Sequence, residues 1–287
     1  MASDARSRPE AIRDFGLHAA ELAKERIPGA PAVVESLERE RLAGSGLLAG
    51  GIAYRFFIWL VPFGLVLAGL GSVWNDEDPE GIESAARQFG LSGAAARSAE
   101  SAFRSSEHSR WYLIGAGVVL LLWFGIGGVR ALRVAHAIAW ADPAPKLRKP
   151  LHASLVFSGF VIGLGLVSSG ARWIQHEVGQ TAGLLVSLAA LAFYVGASFA
   201  AMNLLPHADA PWRALLPGTC VLAVGLVLLH IGVVLYLAPK IGRSTSLYGA
   251  FGAATVVLLW LYIIARLIVS AAFFNATLWD RRRRAAA

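Results

Sequence analysis

Cysteine is all but absent from the chain. Cys220 stands alone inside an apolar run, which excludes an intramolecular disulfide and any zinc site built on thiolates. Charge is scarce too: 16% of the 287 residues are charged, against about 25% in a typical soluble domain. Hydrophobic residues make up 56% and mean hydropathy is +0.57, so much of the chain is solvated by lipid. Within the long apolar runs there is no Asp or Glu at all. That argues against a proton relay or cation site built on intramembrane carboxylates.

Catalytic signatures are missing as well. The chain has no HExxH, GxSxG or GxxxxGK[ST] motif, and its apolar runs hold no carboxylate pair at helical spacing. Its histidines (His18, His108, His136, His152, His176, His207 and His230) are scattered, without metal-ligand spacing. No enzyme, metal or cofactor is expected. The first residues, MASDARSRPE, are polar, and no apolar stretch precedes residue 46, so a cleaved signal peptide is not expected.

What is present is a series of apolar stretches. Crossing a bilayer core of about 30 Å takes about 20 residues at a rise of about 1.5 Å each. Six stretches qualify, at about 46–73, 112–134, 152–171, 182–205, 215–238 and 248–278. Trp279 and the run Arg281 to Arg284 mark the exit of the last. The expected fold is all-α: a polytopic bundle of six spans (46–279), a cytoplasmic amphipathic N-terminal segment (1–45) and a basic tail (280–287).

Placement of Lys and Arg sets the orientation. With both termini inside, 17 of the 26 basic residues fall on the cytoplasmic side and seven outside, with Arg55 and Arg266 within spans. The net charge of +7 is thus a matter of topology, and no nucleic-acid partner is expected. The loop 74–111 is the largest outer segment. AIRDFGLHAAELAKERI has apolar residues at helical spacing and reads as an interfacial helix ended by Pro28 and Pro31, or equally as a packing face. Gly159 and Gly163 form a GxxxG, and Gly125, Gly127 and Gly128 crowd the second span, as small residues do where helices approach closely.

Two intramembrane arginines stand out. Arg55 lies about ten residues into the first span, in IAYRFFIWLVPFG, and Arg266 is comparably deep in the sixth. Such a charge costs about 2.5–3.5 kcal/mol on insertion scales, so each needs a compensating environment. With no acid in the spans, the partners are carbonyls, aromatic faces, hydroxyls, water or an anionic ligand. Helical spacing puts Gly51, Arg55, Trp59 and Pro62 on one face, which would allow a cation–π pair with Trp59. Pro62 breaks the backbone ladder and frees the Ile58 carbonyl. Tyr262, Arg266 and Ser270 share a face of the last span. A basic pocket formed by Arg55, Arg266, Trp59, Tyr262 and Ser270 is one reading, and structural use of the arginines is the other. Tyr54, His230 and Asn275 are secondary candidates, although capping near a helix end would account for Asn275 and packing for His230.

AYRFFIWLVP (53–62), PWRALLPGT (211–219) and LYGAFGAATVVLLWLY (247–262), followed by Asn275, resemble the YihY/BrkB family of six-span bacterial inner-membrane proteins, once labelled ribonuclease BN. The resemblance covers about residues 40–280. It implies six membrane helices with cytoplasmic termini and brings no catalytic residues with it; family proposals lean toward handling envelope lipids or glycolipids. This chain departs at Trp59, where serine is usual, at Ala272 and Phe273, where a small residue and glutamate are usual, and at Arg266, where an aliphatic is usual. A family role in proton coupling is therefore not expected here. The ribonuclease label fails on the residues themselves, because no His/Asp cluster is present.

The sequence thus leads to a transporter or flippase-like protein of the inner membrane for an amphiphilic, anionic envelope substrate. Membrane lipids are its partners, and no oligomeric state is specified. The alternative is a non-transporting scaffold of the envelope.

Overall fold

The structure, a computed structural model, describes residues 30–74, 109–143, 149–163, 192–232 and 238–287. The described residues form seven helices and no strand. These are α1 (Ala30–Leu42), α2 (Ser45–Trp74), α3 (Ser109–Ala139), α4 (Pro150–Gly163), α5 (Ala192–Leu204), α6 (Trp212–Gly232) and α7 (Ala238–Ala286). Four of them, α2, α3, α6 and α7, contain stretches long and apolar enough to cross a membrane. The third and fourth expected spans are described only as the shorter apolar helices α4 and α5. The amphipathic segment before residue 28 and most of the outer loop lie outside the described residues.

Helix α1 starts where sequence reading placed only a break. Pro31 is its second residue, a position where a missing N–H and a fixed φ cost nothing. Its end is set by Gly44, at φ 63°, which a residue with a side chain adopts only with strain. There the Ala43 N–H bonds to the Arg39 carbonyl at 3.0 Å and the Gly44 N–H to that of Arg41 at 3.2 Å, closing the helix. The chain turns there and enters α2 at Ser45.

Helix α7 runs for 49 residues, about 74 Å at 1.5 Å per residue. The basic residues 281–284 are therefore its last turns.

Small residues let the helices approach closely. Ala265, Val269, Ala272 and Ala276 form a fully buried stripe on α7 at spacings of three and four, facing Ala49, Ile52 and Ala53 of α2 and Leu132, Ala135 and Ala139 of α3. Opposite faces stay apolar yet open: Trp123 is 72% exposed, Val119 67% and Leu228 63%. Large apolar side chains left open on two helices fit a lipid surround.

The glycines divide in a way the sequence does not show. A Cβ at Gly125 would strike the Ser154 side chain, and one at Gly128 would touch Phe56 and Phe157 at 3.6–3.7 Å. Among the described residues nothing comes within 4 Å of a Cβ at Gly159 or Gly163 of the α4 GxxxG.

Candidate functional site

The two arginines have different surroundings. Arg266 leaves α7 and ends against the start of α2, where its Nη2 lies 2.8 Å from Glu40 Oε2 and its Nη1 donates to Ser45 Oγ. The Ser270 hydroxyl, one turn along α7, donates to the same Glu40 oxygen at 3.1 Å. Tyr262, one turn in the other direction, brings its hydroxyl against the Gly46 backbone. Arg266, Ser270 and Tyr262 thus meet at one place. The expectation that only carbonyls, rings, hydroxyls or a ligand could answer Arg266 is corrected: the partner acid exists, supplied from outside the apolar runs by α1. A long side chain that carries its charge to the end of a helix is the physical reason.

Glu40 is 2% exposed, whereas the Arg266 side chain is 35% exposed. Burial pushes the Glu40 carboxyl above its ordinary value; the Arg266 charge and the Ser270 and Arg266 hydrogen bonds offset part of that rise. More exposed pairs continue the contact between α1 and α7. Arg39 bonds Asp280 at 2.8 Å and Thr277 at 3.3 Å, and Glu35 meets Arg284 at 2.6 Å and Arg281 at 3.7 Å. Partners on α7 descend in number as those on α1 ascend, so the two helices run antiparallel. Sequence reasoning missed Glu40 and Ser45. The signal was the stripe Ala32, Ser36, Glu40, three positions four apart with a carboxylate at its end.

Arg55 is ten residues beyond Ser45, about 15 Å along α2. It does not join the Arg266 cluster through any described contact. It is exposed, and its guanidinium rests over Gly127 of α3, where an added Cβ would come 3.0 Å from Nη1. Among the described residues it has no ion pair and no hydrogen bond. The expected pairing with Trp59 is corrected as well: Trp59 turns into the core, 2% exposed, stacked on Phe63 at 5.1 Å and edge-on to Phe157 at 5.4 Å. Its indole N–H has no partner among the described residues. Pro62 is buried within α2. Tyr54 points outward, 56% exposed, and of His230 only its place in α6 is described.

Asn275 does not cap a helix end, contrary to expectation, because α7 continues for eleven residues beyond it. Fully buried, it accepts the Gly218 N–H at 2.6 Å and donates to the Leu215 carbonyl at 3.0 Å. Pro217, inside α6 and without an N–H, leaves the Arg213 carbonyl without its ladder partner, and Asn275 grips the backbone on either side of it. A Cβ at Gly218 would fall 2.6 Å from Asn275 Cγ. Two sequence segments 57 residues apart, PG and N, therefore form one clamp between α6 and α7.

A second buried link joins α3 to α5. His136 Nδ1 lies 3.0 Å from the Leu132 carbonyl and Nε2 lies 3.4 Å from Met202 Sδ. Among the described residues no group of three or more His, Cys, Asp or Glu could hold a metal ion.

Residues 38–287 match the family described as Virulence factor BrkB. Two curated relatives from Stenotrophomonas maltophilia, the UPF0761 membrane protein Smlt0865 of strain K279a and the UPF0761 membrane protein of strain R551-3, are each 24% identical over 237 residues. The match covers 75% of this chain and 53% of each relative, so the chain spans about half the length of the curated relatives it matches. No solved structure matches it. From residue 38, two positions before Glu40, to its last residue, this chain is an integral membrane protein of the BrkB family.

Proposed function

We propose that the protein is a non-enzymatic transporter or flippase-like protein for an anionic amphiphile of the bacterial envelope. Arg55 carries this reading. It is a permanent cation on the open side of an apolar helix, between outward-facing Tyr54 and Val61, 56% and 59% exposed. A guanidinium left in an apolar surround costs several kcal/mol unless something negative meets it. A phosphate or carboxylate headgroup offers acceptors that match its planar fork, while acyl chains remain in lipid along the α2 and α3 surfaces.

The same reading sets the protein in the cytoplasmic membrane with six spans and both termini inside, because most Lys and Arg then lie on the cytoplasmic side. Helix α1 and the end of α7 would occupy the inner interface.

Binding in nanodiscs tests the reading. Wild-type protein should retain phosphatidylglycerol over phosphatidylcholine, and Arg55→Leu should lose that preference while remaining monodisperse. Equal retention of both lipids by the wild type would overturn it.

One observation favours a second reading, a scaffold without transport: Arg266 already has a carboxylate and a hydroxyl. On that reading Arg55→Leu changes no lipid preference.

A further inference from the structure

We propose that Arg266, Ser45 and Ser270 form a second anion seat, and that α1 closes it by placing its own Glu40 carboxylate there. The inference rests on the reading that the bundle takes an anionic amphiphile, and it names a device that would control access.

The donor set supports a seat. A guanidinium and a hydroxyl converge on one carboxylate, Arg266 Nη2 at 2.8 Å and Ser270 Oγ at 3.1 Å, while Ser45 Oγ accepts from the other arm of the guanidinium and holds it in place. A phosphate monoester presents the same acceptor geometry with more charge and one more oxygen. The Arg266 side chain is 35% exposed even with Glu40 in place, so an external anion can reach it.

The way α1 is held supports its release. Its fully buried positions are Ala32, Ser36 and Glu40, so Ala32 is its one fully buried apolar side chain, with Pro31 and Val34 half-buried. Its other large apolar residues point away: Leu37 is 55% exposed, Leu42 88% and Val33 45%. Attachment therefore leans on ion pairs, and apart from Glu40–Arg266 these are open to solvent on at least one side: Arg39–Asp280, Glu35–Arg281 and Glu35–Arg284. Exposed pairs are weak and screened by salt. Gly44, at φ 63°, gives the chain a turn between α1 and α2 about which α1 can swing. Such a helix stays docked while its carboxylate fills the seat and leaves when a better anion takes it.

The test uses spin labels at Val33→Cys and Arg282→Cys in a Cys220→Ser background, read as a distance distribution in detergent micelles. Phosphatidate should lengthen the distance, and phosphatidylcholine should not. Glu40→Gln should start in the longer population and bind phosphatidate about tenfold more tightly, because the internal competitor is gone. Arg266→Gln should abolish the response; the double variant with Glu40→Gln, which leaves no unpaired charge, guards against misfolding. An unchanged distance, with Glu40→Gln binding phosphatidate as the wild type does, would overturn the latch while leaving the lipid reading intact. Absence of any phosphatidate preference in the wild type would overturn both. Opening by inorganic phosphate alone would support the seat and contradict an amphiphile as its occupant.

Discussion

Arg266 on the last helix and Glu40 on the first described helix share an ion pair of 2.8 Å across 226 positions of sequence. The pair is unequal: the carboxylate is 2% exposed and the guanidinium side chain 35%. Removing either partner therefore has a different consequence.

Arg266→Ala leaves a buried carboxylate with one hydroxyl, whereas Glu40→Ala leaves a guanidinium that can turn to water. Arg266→Ala should lower stability by about 1–3 kcal/mol, between the limits for exposed and buried pairs. Glu40→Ala should cost less, and the double variant should recover part of the Arg266→Ala loss. Thermal midpoints in detergent decide it, and a greater loss for Glu40→Ala would contradict the stated asymmetry.

The same pair predicts a pH dependence. Burial, only partly offset by Arg266 and Ser270, raises the Glu40 carboxyl above its ordinary 4.5. The folded state then holds this proton more readily than the unfolded chain does. Stability from the group is fully present below the unfolded value and is lost as pH rises through the raised folded value. The unfolding free energy of wild type minus that of Glu40→Gln should decline from pH 4.5 upward and then level off. A difference that grows with pH would reverse the sign of the shift.

The Asn275 clamp tests the junction of α6 and α7. Asn275→Ala leaves the buried Gly218 N–H without its partner, at about 1–3 kcal/mol, and takes one of two donors from the Leu215 carbonyl, which keeps the Thr219 hydroxyl at 2.9 Å. Asn275→Asp keeps an acceptor for Gly218 but turns an oxygen toward the Leu215 carbonyl, so it should rescue little. Gly218→Ala forces a methyl into the Asn275 side chain and the Ala271 carbonyl, an overpacking cost of about 1–3 kcal/mol. Unfolding midpoints equal to wild type for all three variants would show that the clamp contributes nothing.

The exposed contacts of α1 should be salt-sensitive. Raising NaCl to about 0.5 M shortens the screening length to a few Å. Trypsin should then cut faster after Arg39 and Arg41, and Arg39→Ala, which lacks the Asp280 pair, should be cut faster even at low salt. Cleavage rates indifferent to salt would place the adhesion of α1 elsewhere.

These tests bear on residues of uneven visibility in the sequence. The long helices were legible because apolar runs of bilayer length have few other uses, and α2, α3, α6 and α7 are described where such runs stand. The common face of Tyr262, Arg266 and Ser270 followed from helical period alone. Glu40 was not legible as a partner, because it lies beyond the edge of the apolar runs. A side chain as long as arginine reaches past that edge. The partner of Asn275 was hidden for a related reason: a proline break exposes backbone groups, and no sequence pattern says which distant side chain will meet them. Trp59 was misplaced because sharing a helix face with Arg55 does not decide which of the two turns inward, and packing against Phe63 and Phe157 did.

The central claim is that Arg55 receives an anionic headgroup. Its most direct test is the flux of a fluorescent phosphatidylglycerol across proteoliposomes, with the phosphatidylcholine analogue as control. Wild-type protein should accelerate movement of the anionic lipid selectively, and Arg55→Leu, inserted to the same level, should bring it to the protein-free rate. Equal flux in wild type and Arg55→Leu would contradict the account.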